Sequence, residues 1–225
     1  LKMNNPSSLI KELEWEKLIE FSSIAINRTE GPTNPYSKKR LFGKDEKDIR
    51  VTLYRDHHAW CPYCQKIWLW LEWKRIPYSV KKVTMRCYGK KEDWYLKKVP
   101  SGILPAIEID NNLYTESDQI IFELEKIFGP LGQGIIDPRI IELRQLERNL
   151  FRAWCIWLCQ PSLFKSQEMI RQKEFQELAK KMELVIKNNS NRFLDTNNIS
   201  KDLNMPGTID IIFIPYLERM NASLA

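Results

Sequence analysis

The chemistry-bearing residues of this chain gather at Cys61-Pro62-Tyr63-Cys64. Pro62 suits the first position of a helix, because its ring fixes a helical φ and its missing N–H would have had no intrahelical partner. Cys61 then sits at the helix amino end, where unpaired N–H groups and the positive pole of the peptide dipoles favour a thiolate. That environment lowers a thiol below its ordinary pKa of about 8.5 and makes Cys61 a competent nucleophile. Cys64 falls one turn inward and is more enclosed. A CxxC pair also serves as half a zinc site, for which Cys155 and Cys159, at helical i, i+4 spacing, could supply the other half. The two pairs lie far apart, in different predicted domains, so zinc is disfavoured and Cys155 and Cys159 read as buried apolar residues. Cys87 is a lone thiol with no readable role, and His57 and His58 are not needed as a base because helix-end electrostatics already accounts for a thiolate.

Such a cysteine needs a strand ending before it and a helix beginning after it, and the flanking pattern supplies both. Val51-Thr52-Leu53-Tyr54 reads as a strand; after a polar bend come a predicted helix from Pro62 to about Lys74 and a strand from Tyr78 to Met85. Lys90 to Lys98 reads as helical or irregular, and Leu104 to Ile109 as a strand. A turn at Asp110-Asn111-Asn112 joins it to a short strand, Leu113 to Thr115, as an antiparallel hairpin. A helix over Ser117 to Phe128 opens on Thr115-Glu116-Ser117-Asp118, which offers capping side chains and acid at the positive pole. The order is βαβ followed by ββα.

Three glycines and a proline within Gly129-Pro130-Leu131-Gly132-Gln133-Gly134 break the pattern, which places a linker at 129–137 after a first domain at 50–128. Beyond it, Pro138 to Gln160, Ser166 to Asn188 and about Thr208 to Asn221 carry helical spacing, so 138–225 is predicted to be a helical domain, with a kink at Pro215. Residues 1–49 read as a partly irregular extension, combining an amphipathic run from Leu9 to Phe21 with a Pro/Gly/Asn/Ser-rich stretch from Asn27 to Lys39. Trp60, Trp68, Trp70 and Trp73 crowd one short region, and Trp154 and Trp157 mark the second domain. Aromatics at such spacing read as core or domain-interface packing.

Composition sets outer bounds. With 225 residues, 43% hydrophobic and 28% charged, the chain can bury a substantial core. Its 35 Lys and Arg against 29 Asp and Glu give a formal charge of +6, spread as short basic clusters interrupted by acids, which reads as a solvated surface and not as a nucleic-acid-binding arm. Charged residues interrupt even the Trp-rich segment, so no membrane span is expected. Five cysteines without regular spacing point to a reducing, intracellular compartment, a description that the cytoplasm and the plastid stroma both meet. The numbering begins at Leu1, so a targeting segment could have preceded it.

Four separated motifs, VTLYRDHHAWCPYC, KEDWYLKKVPSGILPAIE, LYTESDQI and GTIDIIFIPYLER, occur in an order that identifies a family. From Val51 to about Met220 the chain resembles the cysteine-type soluble glutathione transferases, close to the omega, lambda and related plant classes. The resemblance implies a thioredoxin-like βαβ-ββα domain followed by a helical domain. It makes Cys61 the residue that forms a mixed disulfide with glutathione, with Cys64 as a possible resolving thiol. Pro105 resembles the family's cis-proline, which would turn the Leu104 backbone toward the tripeptide's cysteine like an added strand. Glu116 and Ser117 match the acid–serine pair used on the γ-glutamyl end, Lys91 the lysine for the glycyl carboxylate, and Tyr63 an aromatic that touches the tripeptide. By themselves these residues read more plainly: Lys91 as a solvated charge, Tyr63 as packing, Glu116 and Ser117 as helix caps. Gly207, where the family has a hydroxyl cap, departs from the pattern and implies a slightly weakened fold. The family continues through further helices past the position of Ala225, so the resemblance also implies a shortened helical domain.

The implied function is a glutathione-dependent thiol transferase or reductase, with glutathione as co-substrate, no metal, and a small or protein disulfide as second partner. Dehydroascorbate or a glutathionyl-quinone fits that second role. Two readings from other classes compete with it. A noncatalytic transferase-like binding or assembly module would be expected to lack the nucleophile and tripeptide ligands, which this chain keeps. A membrane-inserting relative of the intracellular chloride channel type is disfavoured by the charges in the helix after Cys61.

Overall fold

The computed structural model describes residues 38–160, 162–189, 193–195 and 205–224. The amphipathic run from Leu9 to Phe21 lies outside the described residues. In chain order the elements are β1 (Lys39–Arg40), β2 (Val51–Asp56), α1 (Pro62–Lys74), β3 (Tyr78–Val83), α2 (Asp93–Lys98), β4 (Ala106–Ile109), β5 (Asn112–Thr115), α3 (Ser117–Phe128), α4 (Pro138–Cys159), α5 (Lys165–Asn188) and α6 (Thr208–Leu224).

The five strands form one sheet in the order β1-β3-β2-β4-β5, parallel between β2 and β3 and antiparallel elsewhere. β2 is the hinge of this arrangement: Val51 stands opposite Tyr78 on one side and Ile109 on the other. Its alternation separates two cores, as the pleat requires. Val51 and Leu53 pack with Ile67, Trp70 and Leu71 of α1 and Ile120, Ile121 and Leu124 of α3. Tyr54 faces the other way and joins Val83, Ala106 and the α2 residue Tyr95. The fold is therefore a thioredoxin-like domain with helices on both faces, followed by a helical part. That part shares the larger core through Ile140, Leu150, Ile212, Phe213 and Tyr216.

Several element ends differ from the sequence expectation, each for a local reason. β3 stops at Val83 and not Met85, because the Glu92 carboxylate takes the Thr84 N–H at 3.0 Å and draws the chain out of the sheet. β4 starts at Ala106 and not Leu104, since Pro105 has no N–H to give a ladder. The hairpin turn is as tight as expected, with Asp110 and Asn111 both at positive φ (49° and 68°), the conformation that two-residue turns demand. Arg40, inside the stretch read as an irregular extension, pairs with Tyr78 through β1. α6 runs through Pro215 as a single element to Leu224.

Glycine at 207 has a steric origin that the sequence hides. A Cβ there would stand 2.1 Å from Asp195 Oδ2, and one on Gly132 2.0 Å from the same oxygen. Asp195 fills this space while accepting the Gln133 N–H at 2.8 Å. The opening of α6 is held instead by Asp210, whose carboxylate accepts from the backbone N–H groups of Gly207, Leu194 and Asp195. The expected weakening of the cap is thus corrected: glycine permits a close approach that a hydroxyl residue would block.

Candidate active site

Cys61 is the N-cap residue of α1, with Pro62 at the first helical position. Its backbone is extended (φ −69°, ψ 116°), so the chain leaves β2 through a short bend and delivers the sulfur to the helix tip. Sγ accepts the Cys64 backbone N–H at 3.4 Å. The Cys61 thiol is lowered to about 7, first by hydrogen bonding from the Cys64 thiol and further by backbone N–H groups of the turn, against the opposing pull of burial. Cys64 is 1% exposed, and burial pushes its thiol well up. The two cysteines are thereby set apart, the outer thiol poised to ionise near neutral pH and the inner one held protonated there.

The outer sulfur opens on a groove. One cavity, of about 650 Å³, is lined by Cys61, Lys91 and Leu104, and also by Cys87. A second, of about 310 Å³, is lined by Tyr63, Leu104, Glu116, Ser117 and Asp118. Ile103 and Leu104 line both, so Leu104 stands between the cavity that holds the sulfur and the one that holds the acid–serine pair. The Leu104–Pro105 bond is cis. The Ile103 carbonyl is held by the Tyr95 hydroxyl at 2.5 Å, which fixes the segment from beneath.

Glu116 precedes α3 at φ 64°, ψ 114°, a conformation that a residue with a side chain seldom adopts and that costs of order 1–3 kcal/mol. The capping role expected of it is absent: Glu116 makes no side-chain cap hydrogen bond. Glu116 lines the cavity beside Ser117, which is 8% exposed at the first turn of the helix. Asp118, the acid of that turn, also does something else, bonding Lys66 Nζ at 2.5 Å and Arg144 at 2.5 Å. Lys91 donates to the Thr84 carbonyl at 2.8 Å while lining the Cys61 cavity. Tyr63 lines the other cavity and packs edge-on against Tyr216 at 5.7 Å, so its packing and groove positions coexist.

Some expectations are corrected. Trp60 and Trp73 are 65% and 42% exposed, not core, whereas Trp70 is fully buried. Trp60 is on the surface because its backbone is held on both sides, its N–H by Asp56 at 2.6 Å and its carbonyl by Arg219 at 2.6 Å. Cys159 is exposed at the end of α4, not buried. Among the described residues, no group of three or more His, Cys, Asp or Glu side chains comes together to hold a metal. No helix among them is long and apolar enough to cross a membrane. Lys66, Asp56 and Arg144 were not found by sequence reasoning. The available signal for Lys66 was a lysine on the apolar stripe of α1, four residues before Trp70.

Residues 60–127 match the family described as Glutathione S-transferase, N-terminal domain. This stretch is similar to a glutathione S-transferase amino-terminal domain. Glutathione S-transferase DHAR3, chloroplastic, of Arabidopsis thaliana is 38% identical over 66 residues, 29% of this chain and 24% of the relative. Probable glutathione S-transferase DHAR1, cytosolic, of Oryza sativa subsp. japonica is 30% identical over 78 residues, 35% of each chain. The matches thus span about a quarter to a third of these curated relatives. The glutathione S-transferase likeness extends further in three dimensions. The crystal structure of a glutathione S-transferase from the Antarctic clam Laternula elliptica superposes with TM-score 0.60 at 19% identity, covering 75% of this chain and 77% of the other. The glutathione transferase URE2P6 from Phanerochaete chrysosporium, solved with oxidized glutathione, gives 0.58 at 17% identity over 80% and 84%. At such identities the likeness carries the fold.

Proposed function

We propose that this chain is a glutathione-dependent thiol transferase in which Cys61 forms a mixed disulfide with glutathione. The observation that carries this reading is the Cys61 thiol at a helix tip, lowered to about 7, in a cavity that shares Leu104 with the neighbouring cavity of Glu116 and Ser117. The Cys61 thiolate attacks the glutathionyl sulfur of a mixed disulfide; the Cys61–glutathione bond forms, the old S–S bond breaks, and the partner leaves as a thiolate. Free glutathione then attacks the adduct, restoring Cys61 and releasing oxidised glutathione. An oxidised small molecule such as dehydroascorbate fits the same cycle as electron acceptor.

In this assignment the Leu104 backbone pairs with the tripeptide like an added strand. The Glu116 carboxylate meets the γ-glutamyl ammonium, while Ser117, at the positive pole of α3, binds its carboxylate. Lys91 meets the glycyl carboxylate, and Tyr63 contacts the tripeptide from α1. The names of the relatives include both chloroplastic and cytosolic proteins, and either reducing compartment suits a nucleophilic thiol. The test is intact mass after exposure to oxidised glutathione. Peptide mapping should place a glutathionyl group on Cys61 in the Cys64→Ser variant, apart from any on the exposed Cys87 and Cys159, and a Cys61 that stays unmodified would refute the assignment.

A further inference from the structure

Cys155 and Cys159 stand outside the cycle above. Both lie in α4, at i and i+4, so one turn of helix puts their Cβ atoms about 5–6 Å apart on the same face. A disulfide needs about 3.5–4.5 Å between Cβ atoms, so the helix holds the two sulfurs too far apart to bond to each other without distortion. It holds them close enough for one larger atom to sit between. The Cys155 thiol is raised, first by burial and then by the neighbouring Cys159, against the opposite pull of Arg148. Cys155 is half-buried and Cys159 exposed, so a solute reaches the pair from the Cys159 side. Their place in the helix also matters. Cys61 caps an amino end, whereas this pair spans the last turn of α4, where carbonyls without intrahelical partners form the negative pole. That pole disfavours a bare thiolate, and the last turn has no lysine or arginine of its own to offset it. Arg171 of α5 reaches the Gln160 carbonyl at 2.5 Å just beyond the turn, and Arg148, two turns back on the same face, is bonded to the buried Glu147 carboxylate at 2.8 Å.

We propose that Cys155 and Cys159 form a two-sulfur site for a soft thiophile that replaces both thiol protons, of the class of a monosubstituted trivalent arsenical. Thiol sulfur selects soft partners over hard ones such as magnesium or calcium. Structural zinc takes four ligands, and among the described residues no group of three or more His, Cys, Asp or Glu side chains gathers, so a centre satisfied by two sulfurs is the one that fits. Charge narrows the class further. A centre with two exchangeable positions takes the place of two protons and leaves the site neutral, as the negative pole requires, whereas a monovalent ion between two thiolates would leave an anion there. The site is independent of glutathione chemistry at Cys61, and it gives the pair a use that a nucleophile at the carboxyl end of a helix would not have.

Phenylarsine oxide is the probe. Two As–S bonds form, the arsenic–oxygen bond breaks, and the oxygen leaves as water with both thiol protons, so arsenic stays trivalent. The native chain is treated with the probe, washed with excess glutathione, which as a monothiol strips arsenic from single sulfurs, and digested with trypsin. One tryptic peptide, residues 153–165, carries both Cys155 and Cys159, apart from the peptides of Cys61 with Cys64 and of Cys87. In wild type this peptide should keep one phenylarsenic bridge. Cys155→Ser and Cys159→Ser should each raise the arsenical needed for half loading by about a hundredfold, because the second bond is no longer intramolecular. Cys159 is exposed, so Cys159→Ser tests the pair without disturbing packing, whatever becomes of Cys155→Ser. A wild-type peptide recovered with both thiols free, or loading in Cys159→Ser equal to wild type, overturns the proposal.

Discussion

The Cys61 Sγ accepts the Cys64 backbone N–H at 3.4 Å, and the Cys64 thiol that shares the same turn is fully enclosed. One sulfur is therefore stabilised as an anion by the other's neighbourhood. With the Cys61 thiol lowered to about 7, alkylation by iodoacetamide should rise through a midpoint near pH 7. The sign follows from the direction of the shift: below the midpoint the thiol is protonated and the rate falls, and above it the rate levels off. Peptide mapping should find the label on Cys61 and not on Cys64. A midpoint near the ordinary thiol value of about 8.5 would contradict the geometry.

Glu116 holds a costly backbone conformation with no capping bond in return, as expected of a residue kept for a ligand. On the proposed assignment, Glu116→Gln would remove a charge-assisted contact to the γ-glutamyl ammonium and should weaken glutathione binding by about 1.5–3 kcal/mol, read as a rise in KM for glutathione or by calorimetry. Thermal stability should change little. Ser117→Ala should cost less, about 0.5–1.5 kcal/mol, because a neutral hydroxyl contact is lost.

Lys66 is 1% exposed, with its ammonium against Asp118, which Arg144 also binds. Burial lowers the Lys66 pKa to about 8, against the pull of Asp118. Asp118→Ala leaves two cations facing each other and should destabilise the fold by about 1–4 kcal/mol, less than for a wholly buried pair because Asp118 is partly exposed. Lys66→Met on that background should recover much of the loss. Urea midpoints of the single and double variants provide the check, and an unrecovered loss would show that Asp118 matters through Arg144 instead.

Gly207→Ser restores the hydroxyl cap that the family pattern favours, yet it should destabilise the chain by about 1–3 kcal/mol, since its Cβ would overlap the Asp195 carboxylate. Asp210→Ala removes an acceptor from three backbone N–H groups and should cost at least as much. Denaturant midpoints measure both. A stabilised Gly207→Ser variant would show that Asp195 moves aside freely.

The order of elements from Val51 to Phe128 was legible because each obeys a local rule: alternation in β2, proline at the start of α1, Asp-Asn at the hairpin. The placement of Cys61 at a helix tip followed from Pro62 alone. The groove was legible only through the family motifs, because Leu104, Lys91 and Glu116 come from three separated segments that no periodicity connects. Asp56 and Lys66 were hidden because a charged residue on an apolar strand or helix face gives no sign of whether it turns outward or finds a partner inside. Gly207 misled for a related reason: its neighbour Asp195 is close in space but lies across an intervening segment. Trp60 was misjudged because aromatic crowding says nothing about backbone anchors, and its two anchors, Asp56 and Arg219, stand on either side of it in the chain.

α1 carries the reactive sulfur at its tip and lies between the sheet and α6, where Gln65 meets both Glu218 and Arg219. Arg219 reaches on to the Trp60 carbonyl, one peptide from Cys61. The two halves of the molecule thus share one beam, and a slip between them would tilt its end. Nucleophilicity at that end should therefore work as a built-in gauge of docking, dulling under mild perturbants before any secondary structure melts.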